Sequence, residues 1–231
     1  MPLTILYRGP LSSCNYDCWY CPFAKRQESS AELARDRAAL ERFVAWVENQ
    51  RSLEVSILFT PWGEALVRRW YQDALARLSA LSHVARVAIQ TNLSSPLEWI
   101  DACDRTRLAL WTTYHPGEVE RHRFVAKCRE LDRRGVRYSV GVVGLKEHAD
   151  AIEALRRELS AGIYLWINAY KDKPDYYGAE DIERFTRIDP LFPINNVRHP
   201  SLGKSCRTGN SVISVDGDGI MRRCHFIKEP I

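Results

Sequence analysis

The stretch LSSCNYDCWYC, residues 11–21, holds three cysteines within eight residues, at Cys14, Cys18 and Cys21. An ordinary hydrophobic core does not account for three thiols so close together in sequence. A loop of this kind can bring its thiolates to one soft metal centre, which is zinc or an iron–sulfur cluster. A structural zinc site needs a fourth Cys or His, and the nearest histidine in the sequence is the distant His83. The motif therefore favours a three-ligand site with one open metal position.

The composition around this motif is that of a soluble globular protein. The 231 residues are 45% hydrophobic and 27% charged, which suits one domain or a domain with a small appendage and excludes a disordered, collagen-like or coiled-coil chain. The net charge of +4 comes from interspersed charges and does not favour a nucleic-acid partner. We find no signal peptide and no apolar run of membrane-spanning length, so we expect a cytoplasmic protein without a membrane partner. Seven cysteines, an odd number, then favour metal or redox use over disulfides.

Strands and helices are predicted to alternate along most of the chain. Six short runs rich in Val, Ile, Leu, Tyr and Trp are too brief for helices and predict strands at 3–8, 54–60, 85–91, 107–113, 137–143 and 162–168. Helical patterns between them cover 30–49, 64–80, 96–103, 118–134 and 147–160. This alternation indicates βαβ units and a parallel sheet, so we predict an α/β fold with a partial (β/α)6 TIM-type barrel.

The pattern changes after Asn168. A polar loop and three prolines predict a linker over residues 171–205, which separates a barrel domain at 1–170 from a module at 206–231. In that module, alternating residues 211–215 and a turn at Asp216-Gly217-Asp218-Gly219 predict a small C-terminal β-hairpin.

The cysteine motif resembles that of the radical S-adenosylmethionine superfamily. The spacing is C-x3-C-x2-C, it follows the first strand, Asn15 follows the first cysteine, and the aromatic Tyr20 precedes the last. The resemblance implies that Cys14, Cys18 and Cys21 hold three irons of a [4Fe–4S] cluster whose fourth iron binds S-adenosylmethionine. It further implies reductive cleavage of this cofactor to methionine and a 5′-deoxyadenosyl radical, which abstracts hydrogen from a substrate. Tyr20 would then be a cofactor-binding residue.

A second motif of the same superfamily follows the second strand, where Gly-Gly-Glu binds the amino group of the cofactor. This chain has Gly63 and Glu64 there, with Trp62 in place of the first glycine. The resemblance implies that Glu64 binds the ammonium group. Without the resemblance, Glu64 is an acidic residue in the first turn of a helix, where the helix dipole favours it.

Further candidates follow later strands. The resemblance implies that Asn92 binds the cofactor, that Thr112 and Thr113 are candidates for the ribose hydroxyls, and that Val142 packs on adenine. Asn168 is a further polar candidate at the end of the sixth strand. Turn formation is the alternative role for both asparagines. The sequence identifies no catalytic residue; the unranked candidates for substitution are Tyr7, Gln90, Cys103, His115 and Asn168.

A second pair of cysteines, Cys206 and Cys224, encloses the predicted hairpin with the spacing C-x12-G-x4-C through Gly219. This spacing resembles the start of SPASM and twitch extensions, which implies a possible auxiliary [4Fe–4S] cluster. A full site needs more ligands from downstream, and the sequence ends at Ile231, seven residues after Cys224. Either the module is truncated or the site is completed differently, and we expect this cluster to be incomplete. His225 adjoins Cys224 and could assist, whereas Cys103 and Cys128 lie in helical patterns and are expected to be core residues.

The main hypothesis is a radical S-adenosylmethionine enzyme acting on a peptide or a small metabolite, as in peptide maturation or natural-product synthesis. Its partners would be that substrate and an electron donor such as a flavodoxin or ferredoxin. One alternative is a non-catalytic iron–sulfur accessory protein, which the altered Gly-Gly-Glu motif favours. Another is a zinc protein with a barrel fold.

Overall fold

Six parallel strands in sequence order form most of one sheet. The computed structural model describes residues 2–23, 26–201 and 203–231. The strands are β1 (Leu3–Arg8), β2 (Val55–Phe59), β3 (Val84–Thr91), β4 (Leu108–Tyr114), β5 (Arg137–Val143) and β6 (Leu165–Asn168). Two more, β7 (Val212–Asp216) and β8 (Met221–Arg222), complete the order β6-β5-β4-β3-β2-β1-β7-β8 in the described chain. The predicted α/β class, a partial TIM-type barrel with a small C-terminal hairpin, is confirmed.

Helices lie between the strands. They are α1 (Ser30–Asn49), α2 (Arg69–Ser79), α3 (Arg121–Arg134), α4 (Ala149–Glu158), α5 (Ala179–Thr186) and α6 (Phe192–Asn196). A capping box between Ser29 and Glu32 begins α1, and Gly135 ends α3 at a φ of 66°. Among the described residues, no helix combines the length and the apolar character needed to cross a membrane.

Two predicted helices are shorter than expected. The pattern at 64–80 forms a 3-10 turn, Ala65–Val67, followed by α2, because Arg68 between them has an extended backbone. The pattern at 96–103 forms only a 3-10 helix at Glu98–Ala102.

Each strand presents alternate residues to the helices and to the opposite, inner face of the sheet. In β1, Ile5 and Tyr7 are buried on the helix side, and the Tyr7 ring stacks on Phe43 of α1 at 4.3 Å. Arg8 therefore belongs to the inner face, and its strand pairs with β7 through the register Arg8↔Asp216. The hairpin thus extends the barrel sheet beyond β1, and β7 runs parallel to β1.

The predicted linker at 171–205 contains α5 and α6. Its Asp189 is buried, and one carboxylate oxygen accepts a hydrogen bond from the backbone N–H of Ile167 at 2.8 Å, on the outer edge of β6. This contact satisfies a backbone donor that an edge strand would otherwise leave unpaired. Leu202 lies outside the described residues, and the division of the chain into three domains stays a prediction.

Candidate active site

The three clustered cysteines line one open cavity at the carboxyl edge of the sheet. The cavity has a volume of about 230 Å³. The ends of β2 to β6 supply the rest of its wall, including six residues predicted from the sequence, which are Gly63, Glu64, Asn92, Thr113, Val142 and Asn168. Parallel strands end at one edge, so residues from distant parts of the sequence meet there.

Two predicted residues do not line this cavity. Thr112 is fully buried, and its hydroxyl donates to the backbone carbonyl of Ser139 at 2.9 Å. Strand alternation sends Thr112 to the helix side and its neighbour Thr113 to the cavity, so Thr113 alone of this pair can reach a bound molecule. The other is Tyr20, whose hydroxyl lies 3.0 Å from Nδ1 of His115.

His115 connects β4 to the cysteine loop. Its Nδ1 lies 3.3 Å from Sγ of Cys18 as well as 3.0 Å from the hydroxyl of Tyr20. Burial lowers the pKa of His115 to about 4, which keeps the ring neutral near pH 7. A neutral ring nitrogen can accept one hydrogen bond, so Nδ1 can accept from the Tyr20 hydroxyl, which places Tyr20 and His115 beside Cys18.

The Glu64 carboxylate is almost completely buried and held by three donors. One oxygen accepts from the backbone N–H of Leu66 at 3.0 Å and from the Thr91 hydroxyl at 2.8 Å, and the other accepts from the Asn92 N–H at 2.5 Å. Burial raises the pKa of Glu64 to about 7. Because a carboxylate has about four acceptor positions, about one remains for a ligand in the cavity.

Gly63 packs directly against the cysteine loop. The N–H of Glu64 donates to the carbonyl of Ser13 at 3.1 Å, one residue before Cys14. A Cβ on Gly63 would overlap that carbonyl, so no side chain fits at this position. The absence of a side chain at Gly63 therefore brings the end of β2 against Cys14.

An amide network ties Cys14 to the end of β3. Nδ2 of Asn92 donates to Oδ1 of Asn15 at 3.0 Å and lies 3.9 Å from Sγ of Cys14. Nδ2 of Asn15 in turn donates to the Ser94 hydroxyl at 3.0 Å. Asn92 therefore positions the first cysteine while also lining the cavity.

Two carboxylates that we did not predict hold the start of the loop. Glu28 accepts from the N–H of Ser12 at 3.0 Å and from the Ser13 hydroxyl at 2.5 Å. Asp36 of α1 is fully buried and accepts from the N–H of Leu11, at 3.1 Å. An aspartate on the apolar face of a predicted helix is a signal that could have identified Asp36 from the sequence.

We expect Asp36→Ala to lower the free energy of unfolding by about 3–5 kcal/mol. The substitution leaves two buried donors and one half-buried donor without their acceptor, because Asp36 also accepts from Nε1 of Trp70 at 2.8 Å and the hydroxyl of Tyr71 at 3.0 Å. Urea unfolding of the chain measures the change. Asp73→Ala is the control, since Asp73 is exposed and, among the described residues, pairs only with Arg69 on the same helix, and it should change stability by less than about 0.5 kcal/mol. A similar small change in Asp36→Ala would contradict the prediction.

The donor set of the cysteine loop has the chemistry of iron–sulfur ligands. Among the described residues, no group of three or more His, Cys, Asp or Glu side chains is arranged around one metal position. Each thiolate of a [4Fe–4S] cluster binds a different iron, so such ligands surround the cluster instead of converging on one point. Burial raises the pKa of the Cys18 thiol to about 11. Three soft donors around one cavity are the chemistry that such a cluster needs.

The other four cysteines lie elsewhere. Cys103 and Cys128 are buried and belong to the hydrophobic core. Cys206 is exposed, with its thiol 3.0 Å from the Thr208 hydroxyl, and Cys224 is half-buried after β8.

Comparison with known proteins finds similarity in fold. No protein-family model and no curated protein matches the chain. The solved structure of native anSMEcpe with bound AdoMet has a TM-score of 0.63 at 17% identity and covers 99% of this chain and 76% of that one. The structure of histidine-tagged anSMEcpe with bound AdoMet has a TM-score of 0.61 at 15% identity, covering 99% and 73%. Native anSMEcpe with bound AdoMet and a Cp18Cys peptide has a TM-score of 0.60 at 15% identity, covering 99% and 75%. This chain therefore shares the fold of anSMEcpe, whose solved structures hold AdoMet.

Proposed function

We propose that this chain is a radical S-adenosylmethionine enzyme. The observation that carries the proposal is that Cys14, Cys18 and Cys21 line the same cavity as the carboxyl ends of β2 to β6. The shared fold with proteins that bind AdoMet supports the proposal. A zinc site would need a fourth Cys or His, and the histidine that lies beside the cysteines, His115, contacts Cys18 and Tyr20 through Nδ1.

In this proposal, the three cysteines hold a [4Fe–4S] cluster, and S-adenosylmethionine lies in the cavity beside it. When bound, such a cluster would supply one-electron reduction of S-adenosylmethionine, chemistry that yields methionine and, with a hydrogen atom taken from the substrate, 5′-deoxyadenosine. The cofactor-binding residues proposed from the sequence that line the cavity are Gly63, Glu64, Asn92, Thr113, Val142 and Asn168.

The chain's own contribution is binding and orientation. The three donors on Glu64 fix its carboxylate, so its remaining acceptor position can receive the ammonium group without further reorganisation. The indole rings of Trp111 and Trp166 pack edge to face at 5.4 Å on the inner face and line the cavity. Their apolar rings restrict water in the space where a reactive radical would form.

Tyr20 has a positioning role in this proposal. Its hydroxyl contacts His115, and its ring is nearly parallel to the imidazole, with an interplanar angle of 14°. This contact fixes the loop segment between Cys18 and Cys21.

The substrate proposed is a peptide or a small metabolite, and the proposed electron donor is a flavodoxin or a ferredoxin. An accessory iron–sulfur protein without turnover is the second candidate. Trp62 favours it, because an indole replaces a glycine of the cofactor-binding motif and lines the cavity.

Anaerobic reconstitution with iron and sulfide, followed by S-adenosylmethionine and dithionite, tests the proposal. We expect 5′-deoxyadenosine to form and the chain to hold about four irons, as one cluster requires. A cluster without cleavage would reject the enzyme and favour the accessory protein, whereas zinc without iron would reject both.

The iron count also tests the auxiliary cluster at Cys206 and Cys224. These two thiols are too few for a complete site, so we expect the count to stay near four and to be unchanged in Cys206→Ala. About eight irons in the wild type, falling by about four in Cys206→Ala, would contradict this and establish a second cluster.

A further inference from the structure

A second pocket lies on the inner face of the sheet, beside the cysteine cavity. We call it the β1–β8 pocket, and it is lined by residues including Arg8, Trp62, Ser214, Arg222, His225 and Lys228. It forms because β7 pairs with β1, which brings the hairpin next to the end of the first strand. Trp62 lines both this pocket and the cysteine cavity, so the two spaces adjoin at this side chain.

The pocket carries an excess of positive charge. Four cationic side chains line it, and its two carboxylates each pair with one of them: Asp216 with Arg222 at 2.5 Å, and Asp218 with Arg35 at 3.4 Å. Within the described part of the chain, Arg8 and Lys228 have no carboxylate within 4.0 Å, so two positive charges remain uncompensated.

Arg8 is held in place with its terminal nitrogens available. Its Nε donates to the carbonyl of Thr60 at 2.8 Å, and its guanidinium lies over the Trp62 ring at 4.2 Å from the centroid. Among the described residues, neither Nη atom has a hydrogen-bond acceptor. Phe23 packs on Trp62 at 4.7 Å, which fixes the indole under the guanidinium. A fixed, half-buried guanidinium with free Nη groups suits bidentate binding of an oxyanion.

We propose that the β1–β8 pocket binds an anionic group of the substrate, a carboxylate or a phosphate, through Arg8. The substrate then extends past Trp62, and its reacting carbon faces the cysteine cavity. The placement of the anionic group relative to the reacting carbon rests on the proposed function, whereas anion binding by Arg8 does not. Lys228 adds positive charge at the same pocket, and the aromatic face of Trp62 keeps the Arg8 guanidinium oriented.

Fluorine NMR of the full chain labelled with 5-fluorotryptophan tests the inference. The chain has seven tryptophans, and the Trp62 resonance is identified by its loss in Trp62→Phe. Inorganic phosphate and acetate are titrated separately at constant ionic strength. We expect a saturable shift of the Trp62 resonance with at least one anion, and the anion with the lower Kd identifies the chemical class.

Arg8→Gln should raise that Kd at least about tenfold, because the charge-assisted hydrogen bonds are lost. Arg8→Lys keeps the charge, and we expect it to retain part of the binding. Arg69→Gln removes a charge from an exposed site on α2 and should leave the Kd within about twofold. Circular dichroism checks that each variant folds.

The inference is overturned if neither anion gives a saturable response, or if Arg8→Gln and Arg69→Gln change the Kd equally. It is also overturned if Arg8→Gln weakens S-adenosylmethionine binding, because Arg8 would then be a cofactor ligand. The anion titration needs neither iron nor cofactor. A chain that binds the anion but does not cleave S-adenosylmethionine would therefore reject the proposed function separately from anion binding at Arg8.

Discussion

Cys14→Ala is expected to abolish 5′-deoxyadenosine formation, a loss of at least about a thousandfold. The remaining two thiols, Cys18 and Cys21, cannot hold the three irons that a [4Fe–4S] cluster fixes through protein ligands when one iron is left open. We therefore expect the reconstituted variant to lose most of its iron together with its activity. Iron content and 5′-deoxyadenosine are measured on the same sample.

Cys103→Ala is the matched control for this prediction. It removes the same thiol from a buried position outside the cavity, where the sulfur contacts the Trp99 carbonyl at 3.7 Å. We expect normal iron content and activity within about twofold, with a stability loss of about 1 kcal/mol from the missing sulfur. Normal cleavage in Cys14→Ala would show that the cysteine loop is not the reaction centre.

Local periodicity predicted most of the fold. The strand and helix patterns locate β1 and α1 at their observed bounds, since burial on one face produces a regular spacing of apolar residues. The segment 171–205 was harder, because its prolines indicate breaks. Pro193, however, lies in the first turn of α6, where proline is tolerated because no intrahelical N–H bond is lost there.

The site was predicted where its residues are adjacent in sequence or end a strand. The contacts that support the cysteine loop were not predicted, because Leu11 and Asp36 are 25 residues apart in sequence and no local pattern indicates their contact. The β1–β8 pocket also depends on a long-range contact, the parallel pairing of β7 with β1. The sequence pattern had instead predicted a separate hairpin module. Whether Thr112 or Thr113 faces the cavity depends on the side of the sheet to which each side chain points. That assignment requires knowing which face of β4 the helices cover.

Gly63→Ala is expected to lower the free energy of unfolding by about 3 kcal/mol and to weaken S-adenosylmethionine binding at least about tenfold. The added methyl group would overlap the Ser13 carbonyl, which is backbone and cannot rotate away. The loop must move, and Cys14 follows one residue later, while Glu64 loses the N–H contact to the same carbonyl. Urea unfolding measures the stability loss, and equilibrium dialysis of the reconstituted protein measures cofactor binding.

Gly162→Ala separates this effect from the general cost of replacing glycine. A Cβ at Gly162 meets nothing within 4 Å, and its backbone does not have a positive φ. The alanine restricts the unfolded chain there, so we expect a stability gain of up to about 1 kcal/mol and unchanged cofactor binding. The two substitutions should thus change the free energy of unfolding in opposite directions. If Gly63→Ala lost stability but bound the cofactor normally, the contact between the end of β2 and the cysteine loop would serve folding alone, and Glu64 would not be a cofactor ligand.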